Sequence, residues 1–170
     1  MTRRVAILTS SDAGARGERA DTSGDAAASW AARLSAHVVA RAVVADDTVA
    51  ITRQLVTWCD GDIADLVLTT GGTGLSPRDV TPEATRAIIE REVPGIAERI
   101  RTVTGATFAR AALGRGIAGV RAGTLVINLP GSTAGVRDSL AALEPVVGHA
   151  VDILRGALTD HSAGTSDVNP

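Results

Sequence analysis

Three short runs of consecutive apolar residues, Val5 to Leu8, Leu66 to Leu68 and Leu125 to Ile127, restrict this chain more than any other feature it has. A strand with one wet face alternates apolar and polar side chains. An unbroken apolar run needs cover on both faces, which helices packed on a parallel sheet supply. Between the runs the spacing turns helical. Ala27, Trp30, Ala31 and Leu34 recur at i, i+3, i+4 and i+7 within a helix expected from Gly24 to Ala36, and Ile51, Leu55, Trp58 and Cys59 share a face after Thr48, the expected cap. Val38 to Val44 is a second strand. The alternation predicts an α/β fold.

Later segments extend the pattern. A helix is expected from Pro82, capped by Thr81, to about Glu92, and another from Gly95 to Val103. Ile117 to Arg121, Ala122-Gly123 and Thr124 to Leu129 read as a hairpin, so the sheet is mixed. Val136, Leu140, Leu143, Val147, Ala150 and Leu154 continue a helix that Pro145 should kink or restart, with His149 packed on its apolar stripe. Residues 1–160 thus form one domain, and 161–170, rich in Ser, Gly, Asp and Asn, form a disordered tail.

Several function classes are disfavoured. The net charge is −2 and all 17 cationic residues are scattered arginines, so nucleic acid is not an expected partner. No apolar run spans a bilayer and no secretory leader is visible, which points to the cytoplasm. Cys59 is the single cysteine, expected as a buried small hydrophobe rather than a nucleophile.

The chemistry concentrates where the apolar runs end. After Leu68 comes Thr-Thr-Gly-Gly-Thr-Gly-Leu-Ser-Pro-Arg-Asp-Val-Thr-Pro-Glu-Ala-Thr, from Thr69 to Thr85. Gly71, Gly72 and Gly74, with Thr73 among them, allow positive dihedrals and let amides approach a phosphate, although a tight turn would use the same glycines. Arg78 and Asp79 follow, a cation for phosphate oxygens beside a carboxylate for magnesium. The loop is neither a P-loop, since the chain has no lysine, nor a dinucleotide fingerprint, which would follow the first strand. Ser10, Ser11 and Asp12 end the first strand as ligand contacts or as a locally closed turn. Asp46 and Asp47 end the second, either sharing a crevice with Asp79 or decorating a helix start. Asn128, Pro130, Gly131 and Ser132 form another turn, with Ser132 a cap or a contact.

Together, the Thr69 to Thr85 stretch, Ile127-Asn128-Leu129-Pro130-Gly131-Ser132, Ser10-Ser11-Asp12 with Asp21-Thr22-Ser23-Gly24, and Val43-Val44-Ala45-Asp46-Asp47 resemble the signatures of molybdopterin adenylyltransferases. That family includes the bacterial Mog and MoaB types and the G domains of gephyrin and its plant counterpart. The resemblance covers nearly the whole chain. It implies a three-layer α/β/α sandwich with a mostly parallel, mixed sheet, a homotrimer or a hexamer, and adenylylation of molybdopterin by Mg-ATP with release of pyrophosphate, followed by hand-over to a molybdenum insertase. It also implies that Asp46 and Asp79 are the magnesium-holding catalytic carboxylates. The expected phosphate and substrate contacts are Ser10, Ser11, Asp12, Gly71, Gly72, Thr73, Gly74, Arg78, Asn128, Pro130, Gly131 and Ser132. One departure stands out: Ala45 occupies a position where the family commonly has proline, which loosens the acidic turn. A non-catalytic molybdopterin carrier of the MoaB type is the alternative.

Overall fold

The computed structural model describes residues 2–156, so the expected 161–170 tail and the end of the 1–160 domain lie outside it. Six strands, β1 (Arg4–Ser10), β2 (His37–Val44), β3 (Leu66–Thr70), β4 (Arg91–Glu92), β5 (Ala118–Arg121) and β6 (Thr124–Leu129), form one sheet in the order β2-β1-β3-β6-β5-β4. The first four in that order are parallel; β5 runs antiparallel to both of its neighbours. The three apolar runs are β1, β3 and β6, adjacent strands in the interior of the sheet, and β3 and β6 are buried along their whole length.

Helices cover both faces, as those runs require. On one side α2 (Thr22–Arg33), α5 (Pro94–Gly105) and α6 (Thr133–Leu154) pack Trp30, Ile96, Ile100, Leu140 and Leu143 against Ile7, Leu68 and Ile127. On the other, α3 (Thr48–Asp60) and α4 (Thr81–Ile88) bring Ile51, Leu55, Trp58 and Ile88 onto Ala6, Leu8, Val67 and Val126. The result is the three-layer sandwich. From β1 the chain crosses to β2 on one side and then to β3 on the other, so the loops leaving β1 and β3 diverge and open a crevice at their carboxyl ends.

Several boundaries differ from expectation, each for a local reason. The segment Ser10 to Gly24 contains a short helix, α1 (Asp12–Ala15), and α2 begins at Thr22 because Asp21 caps it, accepting from the Gly24 amide at 2.9 Å. Asp47, not Thr48, caps α3, accepting from the Ala50 amide at 2.8 Å. Thr81 is inside α4 rather than its cap. That helix start is held instead by the Thr81 amide donating to the Gly72 carbonyl at 3.0 Å. α4 stops at Ile88, short of Glu92, because the Glu90 and Val93 amides pair with β5 at 2.8 Å each, and ladder bonds replace helical ones. α6 runs through Pro145 without a restart; the proline is exposed, so the bond it removes faces water. His149 is exposed rather than packed, since the buried stripe runs through Val147 and Val151.

Candidate active site

The loops leaving β1, β2, β3 and β6 meet over the crevice. Gly71 and Gly72 have φ of +91° and +64°, while Gly74 does not adopt a positive φ, so two of the three glycines use the expected freedom. All three are nonetheless needed for space. A methyl on Gly71 would run into the Ser10 carbonyl and one on Gly72 into the Thr81 hydroxyl, and one on Gly74 would sit 2.8 Å from the Asp79 carboxylate. Among the described residues nothing accepts from the amides of Gly72, Thr73 and Gly74, which leaves them as donors for an anion.

The β1 and β2 loops are locked together. Asp46 accepts from the Ser10 hydroxyl at 2.6 Å and the Asp12 amide at 2.9 Å, while its own amide donates to Asp12 at 3.0 Å. This answers the alternative posed for the acidic turn: Asp47 serves the helix start and Asp46 faces the crevice. Asp12 in turn takes a forked pair from Arg78 at 2.8–3.1 Å. That guanidinium, with the Asp46 amide, holds the Asp12 carboxyl below the usual range. Arg78 therefore reaches across the crevice to an acid rather than lying free beside the glycines. Ser11 caps α1 through the Gly14 amide at 3.0 Å, and Ser132 caps α6 through Gly135 at 3.0 Å. Asn128 is buried; its amide donates to Thr69 and Thr85 at 2.9 Å each and its carbonyl accepts from Ile117 at 3.2 Å, so it ties β6 to β3 and α4. The Pro130 carbonyl accepts from Thr70 at 2.7 Å, and Gly131 packs against Gly71.

Two cavities open on either side of the glycine loop. One, of about 310 Å³, is polar and lined by Thr9, Ser10, Ser11, Arg19, Asp21 and Asp46. The other, of about 370 Å³, lies toward α5 and has Ile100, Arg101, Thr104, Phe108, Leu113 and Ser139 in its wall. Gly72, Asp79, Gly131 and Ser132 line both. Asp79 thus stands on the partition, its carboxylate held by the Ser76 amide at 2.9 Å. Asp46 and Asp79 line the same polar cavity and offer hard oxygen donors. Among the described residues no three His, Cys, Asp or Glu side chains converge, so the protein alone builds no metal cage. Two carboxylates that leave the remaining positions to water and phosphate suit magnesium.

The α5 wall of the second cavity gives no signal in the sequence, because its residues sit on a helix with an ordinary amphipathic pattern. Nor does Arg115 stand out, whose guanidinium reaches the loop from the irregular segment just before β5; a charge between Gly114 and Gly116 is the available sign. In the sequence Asp21 stands out only as part of a motif. It accepts from Thr9 at 2.9 Å and pairs with Arg41, fixing α2 to the end of β1. Cys59 is buried as expected, and burial pushes its thiol up to about 11, which leaves it inert at neutral pH.

Residues 6–149 match the family described as a probable molybdopterin binding domain. The chain is 36% identical to the molybdopterin adenylyltransferase of Helicobacter pylori strain J99, over 91% of this chain and 89% of that protein. It is 40% identical to molybdenum cofactor biosynthesis protein B of Escherichia coli K12, over 79% and 78%. The crystal structure of the molybdopterin biosynthesis enzyme MoaB from Thermus thermophilus superposes with a TM-score of 0.87 at 50% identity, covering 91% of this chain and 98% of that one.

Proposed function

The chain belongs to the molybdopterin-binding domain family of molybdenum cofactor biosynthesis, and from that premise we propose that it is a nucleotidyltransferase that joins AMP from ATP to the terminal phosphate of molybdopterin. The observation that carries this reading is the shared partition: two cavities separated by one loop, with Asp79 and Gly72 facing both. A reaction that joins two phosphorylated molecules needs their phosphates to meet at a single point with the bulk of each held apart. An oxygen of the molybdopterin phosphate attacks the α-phosphorus of ATP, the bond to the β-phosphate breaks, and pyrophosphate leaves with the electron pair.

The residues divide the work accordingly. The amides of Gly72, Thr73 and Gly74, which have no acceptor among the described residues, would receive phosphate oxygens, and Arg78 would offset their charge by exchanging Asp12 for phosphate. Asp46, fixed by Ser10 and Asp12, and Asp79, fixed by Ser76, would hold magnesium, which when bound neutralises phosphate charge and orients the α-phosphorus. Ser11 and Ser132 set the lips of the crevice through their caps, and Asn128 and Pro130 hold the β6 loop against β3. No helix among the described residues is long and apolar enough to cross a membrane. The same reading includes a cytoplasmic homotrimer or hexamer that passes its product to a molybdenum insertase.

Purified protein with molybdopterin, ATP and magnesium should form adenylylated pterin and pyrophosphate. Asp79→Asn should lower turnover about 100-fold or more with the circular dichroism spectrum intact. Turnover of that variant near the wild-type level removes Asp79 from the chemistry. The second reading is a non-catalytic molybdopterin carrier, which would bind the pterin in the same crevice without turning ATP over. Tight molybdopterin binding by the wild type without any magnesium-dependent pyrophosphate would establish it.

A further inference from the structure

Arg115 lies 36 residues beyond Asp79 in sequence, yet it grips both ends of the turn that carries this carboxylate. Its amide donates to the Thr73 carbonyl at 2.9 Å. Its Nε donates to the Gly74 carbonyl at 2.6 Å, one Nη to the Asp79 carbonyl at 2.5 Å, and the other Nη to the Glu83 carboxylate. One planar group therefore bonds to the two ends of the Gly74 to Asp79 turn and to the first turn of α4. We propose that Arg115 is the positioning residue for Asp79, fixing the turn so that the carboxylate stands on the partition between the two cavities; the inference rests on the nucleotidyl-transfer reading for its consequence in turnover.

The chemistry of the group explains why it suits this task. A guanidinium is flat and presents its donors in a fixed fork, so carbonyls bonded along it keep a set separation; an ammonium on a flexible stem does not impose one. Glu83 takes up its charge, so the cation has its own anion and does not compete for the Asp79 side chain. The Glu83 carboxyl is correspondingly held below its usual range by Arg115. The Asp79 side chain, bonded to the Ser76 amide, keeps its outer lone pairs for a cation.

The test compares Arg115→Ala, Arg115→Lys and Glu83→Gln with wild type by residue-resolved amide exchange, by Mn²⁺ broadening of the loop resonances, and by the magnesium dependence of pyrophosphate release. Both Arg115 variants should exchange about tenfold or more faster at Ser76 and Asp79, with Asp12 and Asp46 unchanged as internal references on the other lip of the crevice. Their broadening around Asp79 should need more Mn²⁺, the half-saturating magnesium for turnover should rise, and kcat should fall about 100-fold. Arg115→Lys should not rescue. Glu83→Gln, which keeps the three carbonyl bonds, should exchange as wild type does. Unchanged exchange at Ser76 and Asp79 in both Arg115 variants, or faster exchange with metal dependence as in wild type, overturns the proposal. A wild type that releases no pyrophosphate sinks the adenylylation reading alone, because exchange and Mn²⁺ broadening are read without turnover.

Discussion

At Gly71 and Gly74 the same substitution should act differently. Gly71 needs both a positive φ and the space that a Cβ would take from the Ser10 carbonyl, which is backbone and has nowhere to go. Gly71→Ala should therefore cost about 2–3 kcal/mol, combining the left-handed penalty with the clash, and urea titration should show the midpoint falling at constant m. Gly74 has an ordinary φ, and its added methyl would meet only the Asp79 carboxylate. Gly74→Ala should cost less than about 1 kcal/mol in the same titration while lowering turnover, because it pushes on the carboxylate proposed to hold magnesium. Equal losses of stability in the two variants would show that the loop is scaffold throughout. The glycines were legible in the sequence as a cluster; their separate duties were not, because a dihedral and a through-space neighbour decide them.

Elements depend on each other where a side chain from one completes the bonding of another. Asn128 is the clearest case: it lies on β6 and supplies partners to Thr69 on β3, Thr85 on α4 and Ile117 before β5. Asn128→Leu keeps much of the volume but leaves two buried hydroxyls and an amide unpaired, so stability should fall by about 2–3 kcal/mol, measured by urea unfolding. Turnover at temperatures where the variant is folded should fall less than in Asp79→Asn. From sequence this residue belonged with the ligand contacts, since an Asn before Leu-Pro-Gly-Ser looks like part of a turn. The buried register of β6 turned it inward. The same competition ended α4 early: pairing with β5 satisfied amides that a helix would otherwise have used.

The whole molecule holds its sheet together with charge at the end away from the crevice. At the amino ends of β1 and β3, Asp65 is buried and takes bonds from the Arg4 amide and guanidinium at 2.7–3.2 Å and a pair with Arg155 at 2.7 Å. Burial alone would raise its pKa, but the Arg4 bonds and the nearby Arg155 charge outweigh burial and hold it below the usual carboxylate range. A lowered folded pKa stabilises the fold above the unfolded value of about 3.9 and loses that contribution as pH falls through the folded one. Asp65→Asn should thus unfold about 2 kcal/mol more easily at pH 7, and the gap from wild type should close as pH drops below about 4. A gap independent of pH in thermal or urea unfolding would place the stabilisation in packing instead.

What the sequence determined by itself was everything that a few neighbouring residues fix. Unbroken apolar runs required a sheet covered on both faces, glycines next to a strand end required a tight loop, and acids and serines at strand ends marked the rim. The tertiary structure alone decided who faces whom. The apolar runs are chemically interchangeable, so nothing in them sets the order β2-β1-β3-β6, and that order is what brings the loops after β1, β3 and β6 side by side. Once they are adjacent, Arg78 finds Asp12 across the crevice, Arg115 reaches the glycine loop, and one aspartate comes to face two cavities. Long polar side chains choose partners by distance in space, and that distance exists only after the hydrophobic runs have been packed.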